Sequence, residues 1–169
     1  MVIPQFFQTI EESGLSNWVR DNPFWAILSI HALGMALLVG ASTVVDLRLV
    51  GFARDLPVAP LKRFYTVVWA GFWIQFVSGL LLLIGYPTKS LTNYDFYLKM
   101  VLIGAAMVVK WQLQKNVFGN PNLDDKAMAA RGKTLALASL LLWLGVVTAG
   151  RMLAYTYTYI SYPGPGELP

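Results

Sequence analysis

The only histidine of the chain, His31, is the first candidate for chemistry. It lies in the stretch "NPFWAILSIHALGMALLVG", residues 22–40, within a long apolar run. About eight residues of this run precede it, which places the imidazole roughly 12 Å inside a helix. An ionisable side chain inside an apolar helix is costly, and it indicates a functional site. Two interpretations stay open: a contact to a cofactor, or a neutral histidine that hydrogen-bonds a neighbouring helix and fixes packing.

A second polar residue, Gln75, is expected at a similar depth in the next apolar stretch. Gly71, Gln75 and Gly79 follow one another at intervals of four and therefore share one helix face. Such a small, polar face allows another helix or a ligand to approach closely. For Gly71 and Gly79 we favour the interpretation that they allow close helix packing. On the first helix, Met35 shares a face with His31.

Two basic residues, Lys99 early in the third apolar stretch and Arg151 late in the fourth, are expected near the same end as His31. A histidine below two cations resembles a site for an amphiphile with an anionic or carbonyl head. Haem b would place His31 on the iron, with Arg151 and Lys99 on the propionates. A quinone would instead accept hydrogen bonds from His31 and Gln75. The alternative is that both cations only reach the lipid headgroups.

A metal at His31 needs further ligands, because the chain has one histidine and no cysteine. The absence of cysteine excludes disulfides, c-type haem and thiolate-held iron–sulfur clusters. A second axial ligand would have to be water, His31 of another copy, or one of four methionines: Met35, Met100, Met107 or Met152. A Met/His pair also suits copper, although methionines more often fill gaps in a core.

The composition is typical of a membrane protein. Of the 169 residues, 56% are hydrophobic and 13% are charged, whereas about 25% are charged in soluble domains. Four stretches are long enough to span a bilayer as helices. The chain is therefore predicted to be all-α, a single domain (1–169) that forms an up-down four-helix bundle. The predicted segments are an amphipathic interfacial helix at 1–20, spans at 24–45, 64–85, 96–113 and 134–154, and an extramembrane tail at 155–169.

The basic residues predict the orientation in the membrane. Nine of the 13 basic residues lie in or beside the first and third links between spans. This distribution predicts that these links are cytoplasmic and that both termini are outside.

Asp46 and Arg48 lie at the end of the first span. They suggest either a proton or ion gate or an interfacial charge pair, and we favour the charge pair. No nucleophile–base pair, metalloprotease motif or transporter repeat occurs, so no catalytic residue is predicted. A small homo-oligomeric channel is a further hypothesis for the function.

Three segments resemble a family of small bacterial four-helix inner-membrane proteins of unknown function. They are "HALGMALLVGASTVVDLRLVG", "FYLKMVLIGAA" and "ARGKTLALASLLLWLGVVTAGRMLAY", and the resemblance extends over about 18–155. It implies the four-helix topology and a bacterial inner-membrane location, and it implies no reaction. A weaker likeness is to four-helix membrane b-type cytochromes and copper-resistance membrane proteins. The chain lacks the additional histidines of the di-haem cytochromes.

The function expected from the sequence is a redox-associated membrane subunit. It would bind haem b or a quinone through His31, Gln75, Met35, Lys99 and Arg151, with His31 as the metal ligand if a metal is present. The alternative is a non-catalytic accessory subunit that binds lipid and a larger membrane complex or a second copy of itself. The net charge of +4 is not a nucleic-acid signal in such a chain, because the position of each basic residue matters more than the sum.

Overall fold

The computed structural model describes residues 9–21, 23–120 and 123–155, and these residues form helices and no strand. The prediction of an all-α chain is confirmed. Four helices are long and apolar enough to cross a membrane, and we call them the four long helices. The helices are α1 (Gly14–Asp21), α2 (Phe24–Val50), α3 (Phe64–Gly85), α4 (Pro87–Leu91), α5 (Tyr94–Asn116) and α6 (Asp125–Tyr155), with a 3-10 turn at Ala59–Arg63 before α3.

The four long helices, α2, α3, α5 and α6, are packed unevenly. Extensive contacts join α2 to α3, α2 to α6, and α5 to α6, whereas α3 and α5 touch little. We call the gap between α3 and α5 the α3–α5 seam. We call the two ends of the structure the α1 end, where α1 packs beside the end of α3, and the basic end, where α2 ends and α3 begins. One buried cluster, around Val45 and Leu113, lies toward the basic end, and a second lies around Leu38 and Trp143.

Local signals in the sequence explain where the helices end. α2 continues to Val50 and stops at Gly51, whose φ of 113° is a left-handed conformation that favours glycine. α5 begins after Asn93, which accepts a hydrogen bond from the backbone N–H of Asp95 at 2.9 Å. α6 begins well before the predicted span start at residue 134. The reason is a cap, because Asp124 accepts from the N–H of Ala127 at 2.8 Å.

The N-terminal segment differs from the single helix predicted over 1–20. A break at Ser13 comes before α1, and Ser13 Oγ accepts a hydrogen bond from the N–H of Ser16 at 3.3 Å, as an N-cap does. Ser16 and Val19 are buried, and Ser16 Oγ donates to the carbonyl oxygen of Gly85 at 3.3 Å. α1 therefore packs against the end of α3. The predictions for residues 1–8 and for the tail at 156–169 lie outside the described residues.

Candidate functional site

His31 forms two hydrogen bonds to α3, one with each ring nitrogen. The Ser78 hydroxyl donates to the carbonyl oxygen of Ile74 at 2.6 Å, so its oxygen is free to accept from His31 Nδ1 at 2.9 Å. Gln75 Nε2 lies 2.9 Å from His31 Nε2 and donates to it. This network is self-consistent for a neutral imidazole with its proton on Nδ1. His31 therefore ties α2 to α3.

Gln75 has one polar atom left after this bond. Its side chain is 8% exposed, and the amide oxygen Oε1 is buried without a hydrogen-bond partner. A buried acceptor that stays unpaired costs about 1–3 kcal/mol. Such an atom is able to accept a hydrogen bond from a water or from another molecule.

A cavity of about 210 Å³ lies beside this network, in the α3–α5 seam toward the α1 end. His31, Gln75 and Lys99 all line it, so the structure brings three of the predicted site residues to one place. Most of the wall is apolar and partly aromatic: Phe72, Phe76, Phe96, Leu83 and Ile103. Leu80 and Met100, which also line the cavity, are 45% and 43% exposed. The cavity therefore reaches the outer surface of the structure.

Lys99 supplies the positive charge of this cavity. It makes no hydrogen bond or ion pair with any residue that the structure describes. Its stem packs beside Gly150 of α6, where an added Cβ would lie 3.8 Å from Lys99 Nζ. Gln75 Oε1 and the Lys99 ammonium thus provide one acceptor and one donor from two different helices.

Three glycines allow α2 and α3 to come this close. A Cβ on Gly71 would lie 2.6 Å from the backbone nitrogen of Leu38, and a Cβ on Gly34 would lie 2.8 Å from the Ile74 side chain. Both positions therefore serve helix packing, as predicted for Gly71. Gly79, for which helix packing was also predicted, has a different role, because a Cβ there would lie 3.3 Å from His31 Cε1. Gly79 makes room for the imidazole ring.

Two residues of the predicted site lie elsewhere. Arg151 is exposed and does not line the cavity. The reason is helix phase: Gly150 faces Lys99, and the next residue is rotated by about 100°. Met35 is half-buried and does not line the cavity either, whereas Met100 does. Within the described segments, no group of three or more His, Cys, Asp or Glu side chains converges on one point.

A second polar cluster lies deeper in the structure, toward the basic end. Lys110 Nζ lies 2.6 Å from Asp46 Oδ1 and donates a further bond to the carbonyl oxygen of Ser42 at 3.1 Å. The side chains of Lys110 and Asp46 are 1% and 0% exposed. Ser139 faces the carboxylate, yet its hydroxyl and Asp46 Oδ2 are buried without a hydrogen bond. This ion pair connects α2 with α5, which share no extensive contact.

The expected charge pair between Asp46 and Arg48 is therefore wrong. Asp46 pairs with Lys110, while Arg48 points into the loop that follows α2. There its guanidinium donates to the backbone carbonyl oxygens of Leu56 and Arg54. Lys110 is one of the nine basic residues counted in or beside the first and third links, yet it is an interior residue.

Two residues of these polar clusters, Ser78 and Lys110, were not predicted as site residues. For Ser78 a signal was available, because it follows Gln75 by three residues and so shares its helix face. For Lys110 no such signal was available, because its partner Asp46 is 64 positions away on another helix.

Comparisons of the chain with protein-family models, with curated proteins and with solved structures gave no match.

Proposed function

We propose that the chain is a multi-pass protein of the bacterial inner membrane. In this proposal the four long helices form an up-and-down bundle with both termini on the periplasmic side. At most 28% of any of the four apolar stretches is buried within the structure, so apolar side chains such as Trp73, Val101 and Leu141 face outward. Lipid tails would cover these surfaces. The concentration of basic residues at the basic end supports the orientation.

Within this membrane protein, the cavity beside His31 is proposed to bind the ring of a quinone or its quinol, which makes the chain a redox-associated subunit. The observation that carries the proposal is the buried Oε1 of Gln75 in the wall of an apolar cavity that also holds the cation Lys99, neither of which has a hydrogen-bond partner among the described residues. A quinol hydroxyl would donate to Gln75 Oε1. The Lys99 ammonium would donate to a ring oxygen. A bound quinone would supply two-electron redox chemistry.

The size of the cavity favours a single ring over a porphyrin. A cavity of about 150 Å³ holds a benzene molecule, and this one has about 210 Å³. Larger ligands usually occupy about 300–1,000 Å³. The exposed side chains of Leu80 and Met100 mark where an isoprenoid tail would leave through the α3–α5 seam. Haem b would require the helices to separate and His31 Nε2 to give up its bond with Gln75.

Gln75→Leu is expected to weaken quinol binding by roughly tenfold, because Gln75 Oε1 accepts from the quinol hydroxyl and one hydrogen bond is worth about 1–1.5 kcal/mol. The measurement is an anaerobic titration of the detergent-solubilised protein with decylubiquinol, followed by thermal stabilisation. Lys99→Gln should weaken binding similarly. The control is Gln112→Leu, which replaces a half-buried glutamine of α5 that does not line the cavity. Equal affinities in all four proteins, or a haem absorption band in the purified protein, would contradict the proposal.

A second candidate function, the non-catalytic accessory subunit that binds lipid and a larger membrane complex, is favoured by the complete bonding of the His31 ring. Here His31, Gln75 and Ser78 would only hold α2 against α3. His31→Ala would then loosen the helix pair by about 1–2 kcal/mol. The same titration separates the two functions, since an accessory subunit would show no saturable binding of decylubiquinol in any variant.

A further inference from the structure

A second cavity, of about 570 Å³, lies at the basic end. The 3-10 turn Ala59–Arg63 and the first turns of α3 form one side of it. Gln114, near the end of α5, forms the other side. The Nε1–H of Trp69 donates to Gln114 Oε1 at 3.1 Å, which links the two helices across the α3–α5 seam. The cavity is therefore separate from the one beside His31, although both lie along the same seam.

The polar groups of this second cavity are almost entirely hydrogen-bond donors. Lys62 and Arg63 are exposed, and neither makes an ion pair or hydrogen bond with a described residue. Gln114 uses its carbonyl oxygen for Trp69, and its amide N–H groups have no partner among the described residues. The same holds for the Thr66 hydroxyl, and no carboxylate of a described residue lines the cavity. Two unpaired cations with further donors and no acidic neighbour form a site for an anion such as a phosphate.

The surroundings of the cavity indicate that this phosphate belongs to a lipid. Apolar residues close in sequence to the cavity lining are exposed on both helices. Phe64 and Val67 on α3 are each 36% exposed, and Trp111 on α5 is 53% exposed. A soluble phosphate makes no use of such a surface, whereas an acyl chain covers it. The cavity also lies where the apolar part of α3 begins and that of α5 ends, at the depth of phospholipid headgroups. Basic pockets between membrane helices commonly bind anionic headgroups.

We propose that Lys62, Arg63, Thr66 and Gln114 bind the phosphate of an anionic phospholipid. The acyl chains of this lipid lie against the apolar residues of α3 and α5 at the basic end. The proposal rests on the membrane location proposed above and is independent of the quinone. It assigns a lipid ligand to the end of the seam opposite His31.

Native mass spectrometry tests the lipid site. The purified protein, in mild detergent, is mixed with phosphatidylglycerol or phosphatidylcholine. We expect phosphatidylglycerol to bind at least tenfold more tightly than phosphatidylcholine, and the double variant Lys62→Gln/Arg63→Gln to lose most of this preference. The matched control is Arg131→Gln/Lys133→Gln, which removes the same charge from exposed positions of α6 near the same end. This control should keep the preference.

Two outcomes would overturn the proposal. If both double variants lose the preference equally, the lipid responds to the overall charge of the basic end and not to a site. If millimolar inorganic phosphate displaces phosphatidylglycerol completely, the site takes a soluble anion. Decylubiquinone affinity is measured on the same variants. It should stay unchanged in Lys62→Gln/Arg63→Gln, so failure of the lipid site and failure of the quinone site are distinguishable.

Discussion

Lys110→Met is expected to destabilise the protein by about 3–5 kcal/mol, because removal of one partner leaves a buried charge without compensation. Asp46 is fully buried, and Lys110 is the only cation within ion-pair distance of it among the described residues. The loss is measured as a shift of the unfolding midpoint in a denaturant titration, followed by circular dichroism. We expect little folded protein to survive purification.

The double variant Asp46→Leu/Lys110→Met is expected to recover much of this loss, since well-packed apolar residues often replace a buried ion pair at little cost. Lys115→Met is the control for the loss of a lysine from α5, because Lys115 is exposed and lies over the Trp111 ring. If the Lys110→Met protein is as stable as the Lys115→Met protein, the buried ion pair does not stabilise the fold.

Gly71→Ala is expected to destabilise the protein by about 1–3 kcal/mol or more, the usual cost of forcing extra volume into a packed contact. The new Cβ would lie 2.6 Å from the backbone nitrogen of Leu38 and 3.0 Å from the Gly34 carbonyl oxygen. Backbone atoms cannot move aside as a side-chain end does, so α2 and α3 must separate. The same denaturant titration measures the effect.

Two other glycines provide controls within the long helices. An added Cβ on Gly40 of α2 or on Gly104 of α5 meets no atom within 4 Å. Alanine is favoured over glycine in a helix interior by roughly 0.5–1 kcal/mol, so Gly40→Ala and Gly104→Ala should be neutral or stabilising. If Gly71→Ala behaves like these two, the close crossing of α2 and α3 is wrong.

The sequence predicted much of the fold because its signals are local. The length of the apolar stretches predicted the four long helices. The common depth of His31 and Gln75 was enough to predict that they lie close together, and the structure joins them by a hydrogen bond. The early start of α6 was missed because Asp124 caps a polar first turn that an apolar span does not include.

The errors concern which face of a helix meets which neighbour. Arg151 is one position beyond the residue that faces Lys99, and a single step along a helix turns the side chain away. Asp46 and Arg48 are close in sequence, yet their side chains differ by about 200° around α2. Lys110 reaches Asp46 across the interior, and only the arrangement of all four long helices sets that distance.

The most direct test of the quinone site is photolabelling with a ubiquinone analogue that carries an aryl azide on its ring. The protein is illuminated, digested and analysed by mass spectrometry. We predict labels within residues 72–83 of α3 and 96–103 of α5, which line the cavity. Excess decylubiquinone should suppress these labels, and Lys99→Gln should reduce them. Labels spread over the outward faces of α2 and α6, unaffected by excess quinone, would contradict a quinone site beside His31.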